Sequence, residues 1–323
     1  MLEITSVPAI SYRSAGNVLL ETKAVVAATA QETVHWAWTE ELDKTSLGEF
    51  IGPVKEELTS ILNEISESPS SPLALYIGNQ LGPYTPINIS TSYGATHDPM
   101  TAYNIISLVG LPITVVPTIP YNQPSILCSG YISREMIIKI DMYVQSGGVA
   151  IIDAKAAQCY KTYDGRVDFS ISGPVSLHRY EIGPSGERDD MMSECLPDSI
   201  FPIHSKNPEH YWTGYDISNG VTGLTTAIIS LGKGELIILG YDLSRTNTVL
   251  LRPQWQKRML DMLRIVGVQF PVYWKGPAAV QCLYNGKQVA LVNYNSNPVS
   301  GRLSVSGKED IDIEPFELKI VKL

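Results

Sequence analysis

The sequence predicts an α/β protein with a mostly parallel sheet. An α/β barrel-end segment precedes the sheet, and a small antiparallel β-sandwich follows it. Three observations predict this. Residues 125–152 read as strand, loop, amphipathic helix, Gly-Gly stop and strand, the repeating unit of a sheet with helical crossovers. Residues 1–65 alternate helical and strand patterns. From Val272 the pattern shortens to alternating strands, and Asn285-Gly286 falls between two of them, the strongest short-range hairpin signal.

Taken in order, residues 19–30 are Ala-rich and helical, and residues 33–38, Thr-Val-His-Trp-Ala-Trp, are β-branched and aromatic and read as a strand. A second helix over 47–65 places Phe50, Val54, Leu58, Ile61, Leu62 and Ile65 on one face. Two helices and one strand cannot close a sheet, so this segment must lean on another domain or chain. Residues 66–72, polar with two prolines, form a linker. Strands follow at 73–77 and 113–116, with a short helix over 101–108 between them that Gly110 closes. In the next helix Ile132, Met136, Ile137, Ile140, Tyr143 and Val144 form the apolar stripe. Ser133 caps its start, Glu135 suits the helix dipole, and Gly147-Gly148 stops it. Residues 149–152, Val-Ala-Ile-Ile, are then a strand covered on both faces.

Residues 154–220 carry few signals. Strands at 221–231 and 235–240 flank a Gly232-Lys-Gly234 turn. A helix over 255–266 presents Trp255, Met259, Met262, Leu263 and Val266 and stops at Gly267. The expected division is a barrel-end segment over 1–65, a linker over 66–72, an α/β domain over 73–270 and a β-sandwich over 271–323.

Composition narrows the function. A net charge of −9 argues against nucleic acid, whose phosphates need a basic surface. No apolar run is long enough to span a bilayer, and the N-terminus lacks the pattern of a signal peptide. These readings point away from membranes and favour a cytoplasmic location. Cys128, Cys159, Cys195 and Cys282 have neither metal-ligand spacing nor the density of a disulfide framework, so most are read as reduced. Seventeen Tyr against five Phe suits many half-buried rings or, more sharply, interfaces or sugar-lined clefts.

Few constellations carry chemistry. Cys128 follows a strand as a nucleophile would, but Ile126-Leu-Cys-Ser-Gly130 has no preceding Gly and the helix starts only near Ser133. That is a loop rather than a strained elbow. No His is followed by the His-x-Glu spacing of an amidotransferase, so the general base that a cysteine nucleophile needs is not indicated. The histidines suggest no metal site, no cofactor motif stands out, and Gly232-Lys-Gly234 lacks the spacing of a phosphate loop. The most chemical-looking cluster is His35, Trp36, Trp38 and Glu40. Aromatic faces stack on sugar rings, carboxylates hold hydroxyls, and strand alternation puts Trp36 and Trp38 on one face. The plain alternative is one core Trp and a solvated acidic loop.

Tyr131-Ile-Ser-Arg-Glu, the helix ending in Tyr143-Val-Gln-Ser-Gly-Gly148, and the strand of 232–242 together resemble the amidotransferase-like, flavodoxin-like domain of family 42 β-galactosidases, often called the trimerisation domain. The β domain after Pro271 is similar to their C-terminal module, and residues 21–65 look like the last turn of their (β/α)₈ barrel. The resemblance implies a chain that is the non-catalytic C-terminal part of a glycoside hydrolase. It would serve oligomerisation or assembly with a missing barrel, and the catalytic carboxylates would lie on barrel strands outside this chain. His35, Trp36, Trp38 and Glu40 would then border a carbohydrate site. The competing readings are an amidotransferase-like hydrolase using Cys128 and a stand-alone carbohydrate-binding protein.

Overall fold

The computed structural model describes residues 2–5, 23–24, 27, 34–37, 56, 59–61, 63–64, 70–78, 99–175, 178–190, 200–216, 220–244, 250–305 and 310–323. The chain divides into two compact units: one joins 1–71, 110–112 and 271–323, and the other comprises 72–109 and 113–270.

In the first unit, strand β1 (Leu2–Thr5) pairs in parallel with β2 (Val34–Ala37). Residues 23, 24 and 27 between them are helical, and so are 56, 59–61, 63 and 64 beyond β2. The segment is therefore strand, helix, strand, helix, with one strand more than the sequence pattern revealed. Ile61 is buried while Glu56, Thr59, Ser60, Asn63 and Glu64 are exposed, as the predicted helical face requires.

The second unit is built on one large sheet. Its parallel strands are β3 (Leu73–Tyr76), β4 (Thr114–Val116), β5 (Ser125–Cys128), β6 (Val149–Ile152) and later β13 (Gly234–Leu239). Between them run α1 (Pro99–Leu108), α2 (Arg134–Gln145) and α3 (Ala154–Thr162). The sheet then continues antiparallel through β7 (Ser170–Ile171), β8 (His178–Ile182), β9 (Arg188–Asp189), β10 (Ile203–His204), β11 (His210–Asp216) and β12 (Val221–Leu231). The path is β4-β3-β5-β6-β13-β12-β11-β8-β9, with β10 and β7 beside β12.

The parallel half follows from sequence. Leu73–Tyr76, Ser125–Cys128 and Val149–Ile152 are buried at every position, as strands covered on both faces must be. Ser133 caps α2 by accepting from the Met136 amide, and the predicted stripe of α2 packs with Tyr76, Ile126, Ala150, Leu236 and Ile238 in one core. Strand β12 coincides with the strand expected at 221–231, whereas the rest of the antiparallel flank and α3 have no such local signal. Strands of two residues such as β7, β9 and β10 are too short to show a period, and β11 is irregular at two register shifts. The long hairpin of β12 and β13 turns at Gly232, whose φ of +70° suits glycine. Helix α4 (Pro253–Ile265) closes the unit and buries Trp255, Met259, Met262 and Leu263.

The C-terminal strands are β14 (Trp274–Lys275), β15 (Val280–Tyr284), β16 (Gln288–Asn293), β17 (Val299–Leu303), β18 (Ile311–Ile313) and β19 (Leu318–Lys322). They form two three-stranded antiparallel sheets, β14-β17-β18 and β15-β16-β19. Asn285 makes the predicted hairpin, its side-chain oxygen accepting from the amides of Lys287 at 3.1 Å and Gln288 at 2.8 Å. Strand β16 is buried on both faces. Val289 and Leu291 join the sandwich core with Trp274, Val299 and Ile313, while Ala290 and Val292 pack with Ala24, Ala27 and Ile61 of the N-terminal helices.

Candidate functional site

The carboxyl ends of the parallel strands are where open α/β sheets bind ligands, at the point where the strand order reverses. Here that point lies between β3 and β5, the first and third parallel strands. The residues just beyond the strands are Ile77-Gly78, Ser129-Gly130, Asp153 and Tyr241-Asp242.

Asp153 organises this edge. It ends β6 and caps α3, its Oδ1 accepting from the Ala156 amide at 2.8 Å. Its Oδ2 accepts from Ser129 Oγ at 2.5 Å and from the Leu243 amide at 3.1 Å, and the Gly130 amide lies 3.2 Å from both oxygens. Gly130 reaches this position with φ of +76°. One carboxyl thus ties the ends of β5, β6 and β13. Burial and, less strongly, the charge of Asp242 raise its pKa to about 7, against hydrogen bonds from Ser129, Ala156 and Gly130 that lower it. Asp242 is itself buried and accepts from the Ser244 amide at 3.1 Å and Ser244 Oγ at 2.5 Å.

Cys128 does not face this edge as a nucleophile. It is 0% exposed and lies in the core with Tyr76, Ile126, Met136 and Ile152. Burial, then the nearby Asp153 charge, push its thiol well above the ordinary range, whereas nucleophilic attack needs the thiolate. Neither described histidine side chain serves it: His210 is exposed on β11, and His204 is exposed with Nε2 2.8 Å from Ser172 Oγ. Native protein is expected to leave Cys128 unmodified by iodoacetamide at pH 8 and to react there only after denaturation. Mass mapping of the alkylated peptide checks this, and rapid native labelling would reopen the cysteine reading. Cys159 and Cys282 are also free thiols, while Cys195 lies outside the described residues.

A second polar cluster is buried in the antiparallel flank. Arg258 of α4 pairs with Glu181 of β8, and the Tyr241 hydroxyl donates to the same carboxylate. Arg258 also reaches Tyr241 Oη at 3.3 Å and Thr225 Oγ1 at 3.4 Å, and its guanidinium lies 5.3 Å from the Trp212 ring centroid. Tyr241 and Trp255 pack edge to face at 5.3 Å. Every member is buried, so the cluster fastens α4 to the flank.

Of the sequence-predicted carbohydrate residues, His35 and Trp36 lie on β2, in register with Glu3 and Ile4 of β1. The structure describes their backbone alone. Trp38 and Glu40 lie outside the described residues. Among the described residues no three of His, Cys, Asp and Glu gather as metal ligands, and no helix is long and apolar enough to cross a membrane. Sequence reading passed over Asp153, although an Asp directly after Val-Ala-Ile-Ile and before Ala-Lys-Ala-Ala has the position of an N-cap. Glu181 and Arg258 gave no local signal, because their partners lie far away in sequence.

No family model matches the chain, and no curated protein does. Solved structures match its fold. A cold-adapted β-galactosidase from Rahnella sp. R3 superposes with a TM-score of 0.64 at 12% identity, over 98% of this chain and 53% of its own. The β-galactosidase of Bacillus circulans sp. alkalophilus gives 0.60 at 13%, over 100% of this chain and 55% of its own. A catalytic mutant of Gan42B, a GH42 β-galactosidase from G. stearothermophilus, gives 0.59 at 10%, over 99% of this chain and 58% of its own. The chain has the fold of a region of these enzymes and spans about half their length.

Proposed function

We propose that this chain is the non-catalytic C-terminal part of a glycoside-hydrolase-like protein of carbohydrate metabolism, serving oligomerisation and domain assembly beside a sugar site. The observation that carries this reading is the match of nearly the whole chain to about half of each β-galactosidase. Two features support it. The parallel pair β1-β2 with its following helices has the form of two βα units, and two strands alone are marginal in water, so the pair belongs in a larger sheet. The parallel strands of the second unit, counted in chain order, run 2-1-3-4-5, the flavodoxin-like order on which amidotransferase-like domains are built. The buried Cys128, pushed away from its thiolate, weakens the hydrolase alternative.

On this reading His35, Trp36, Trp38 and Glu40 border a sugar site that other strands complete. The isolated chain should be oligomeric in light scattering and should not hydrolyse nitrophenyl glycosides. Its Trp fluorescence should change little with galactose or lactose until a barrel is supplied. Turnover by the chain alone, or a single-chain mass at every concentration, would sink the reading.

A further inference from the structure

Three described residues other than glycine have φ in the left-handed region: Asp164 at +58°, Ala279 at +61° and Phe316 at +56°. Asp tolerates that region, whereas a side chain as bulky as Phe is an outlier there. Such strain persists only where the surroundings enforce it, and it gathers at sites that bind. Ala279 and Phe316 lie at one end of the β-sandwich, on loops that hydrogen bonds tie together.

The Glu317 amide donates to the Glu314 carbonyl at 3.2 Å and closes a turn with Pro315 second and Phe316 third. With proline second and φ positive third, this is the type II pattern, whose third place ordinarily goes to glycine. Asn293, 0% exposed at the end of β16, clamps the turn. Its Nδ2 donates to the carbonyls of Glu314 at 2.9 Å, Ile313 at 3.2 Å and Asn297 at 3.2 Å, and its amide donates to the Glu317 carbonyl at 2.9 Å. Glu317 Oε2 accepts from the Glu314 amide at 2.6 Å. The third loop is fixed in the same way: Asn295 Nδ2 donates to the Ala278 carbonyl at 3.0 Å, and the Tyr294 amide to the Ala279 carbonyl at 2.9 Å. Loops 276–279, 294–298 and 314–317 are thus set rigidly beside one another. Loops at one end of a rigid sandwich are where such folds carry binding residues.

These loops present a defined chemistry. Phe316 is 36% exposed, and Ser296, Asn297 and Glu314 around it are exposed too. A glycine at 316 would make the turn without strain, so the ring is held there for what it touches outside the fold. No Lys, Arg or His occurs in the three loops, so an anion finds no cation. Of the two glutamates, Glu317 already accepts from a backbone amide. An aromatic ring bordered by a hydroxyl, an amide and a carboxylate suits a neutral sugar, whose apolar face stacks while its hydroxyls bond.

We propose that this end of the sandwich binds a neutral oligosaccharide, one sugar ring stacking on Phe316 while Ser296, Asn297 and Glu314 hold its hydroxyls. The proposal rests on the carbohydrate reading above. Saturation-transfer NMR on the full chain tests it with galactotetraose, cellotetraose and mannotetraose, and with tetragalacturonate as the acidic counterpart. Wild type should bind at least one neutral tetrasaccharide, and more tightly than the acidic one. Phe316→Gly should weaken that binding ~10-fold or more, as loss of a central aromatic does. Because glycine relieves the turn, the same variant should raise the urea midpoint rather than lower it. Asn297→Ala, at an exposed position, should weaken binding about threefold or more, the worth of one hydrogen bond, and leave the midpoint in place. Binding that survives Phe316→Gly overturns the site, and so does a midpoint that falls, which would make the ring part of the packing. Preference for tetragalacturonate, or no binding at all, overturns it too. Light scattering on the same samples keeps the two readings apart: an oligomer that binds no sugar loses this site and retains the assembly reading, whereas a monomer that binds retains the site alone.

Discussion

Replacing Arg258 with Met should destabilise the second unit by about 3–5 kcal/mol, the usual cost of breaking a buried ion pair from one side. The pair is dry, with side-chain exposures of 3% for Arg258 and 0% for Glu181. Met fills much of the same volume, so the loss comes from a carboxylate left without its cation and from the donors Arg258 gave to Tyr241 and Thr225. The double variant Arg258→Met/Glu181→Gln should recover much of the deficit, because no charge is then stranded. A pH series separates charge from packing. In Arg258→Met the stranded Glu181 takes up a proton more readily than in the unfolded chain, so the deficit should shrink as pH falls toward about 4. Urea midpoints of the three proteins at pH 4.5 and 7.5 check this. Equal destabilisation in single and double variants would mean that Arg258 acts through packing alone.

The second large effect belongs to Asp153. Its carboxyl titrates near 3.8 when unperturbed and at about 7 in the fold. The folded chain therefore holds this proton more tightly than the unfolded chain does. The resulting stability is fully present below about 3.8 and is lost as pH rises through about 7. At ~1.4 kcal/mol per unit, those limits differ by about 4 kcal/mol. Asp153→Asn should flatten that slope. It should also cost about 2–3 kcal/mol at pH 5, because the amide brings two N–H donors where the protonated carboxyl brings one, among groups that already donate to it. Thermal melts from pH 4 to 8 read both effects. A wild-type slope that survives in Asp153→Asn would assign the pH dependence to another group.

The parts of the fold that were legible in the sequence are those whose signal is local. Helix α2 was readable from Ser133 to Gly148 because cap, stripe and stop all lie within sixteen residues. The Asn285-Gly286 turn was readable because Asn and Gly carry the turn's chemistry themselves, within the three residues between β15 and β16. Strand β1 was not, since its four residues, which pair with β2 alone among the described residues, are too short to display a period. The flank of β7–β11 was illegible for a related reason: its order comes from Glu181 meeting Arg258 across 77 positions of sequence, and from Trp212 and Tyr241 packing around them. The candidate site divides in the same way. Cys128 drew attention by its place after a strand, and burial removes it. Asp153, a plain Asp in sequence, holds three strand ends together.

The division of the chain bears on how it is made. The first unit takes its residues from both ends of the sequence, with 72–109 and 113–270 inserted between them. Ala24, Ala27 and Ile61 find Ala290 and Val292 only after that insertion has been synthesised. At about 5–20 residues per second the delay is roughly 10–40 s, during which the emerging N-terminal helices lack the sheet they will cover. The inserted unit can fold while they wait. During synthesis, chaperones should therefore engage residues 1–71 rather than 72–270, and the strands from Pro271 onward should be the ones that release them.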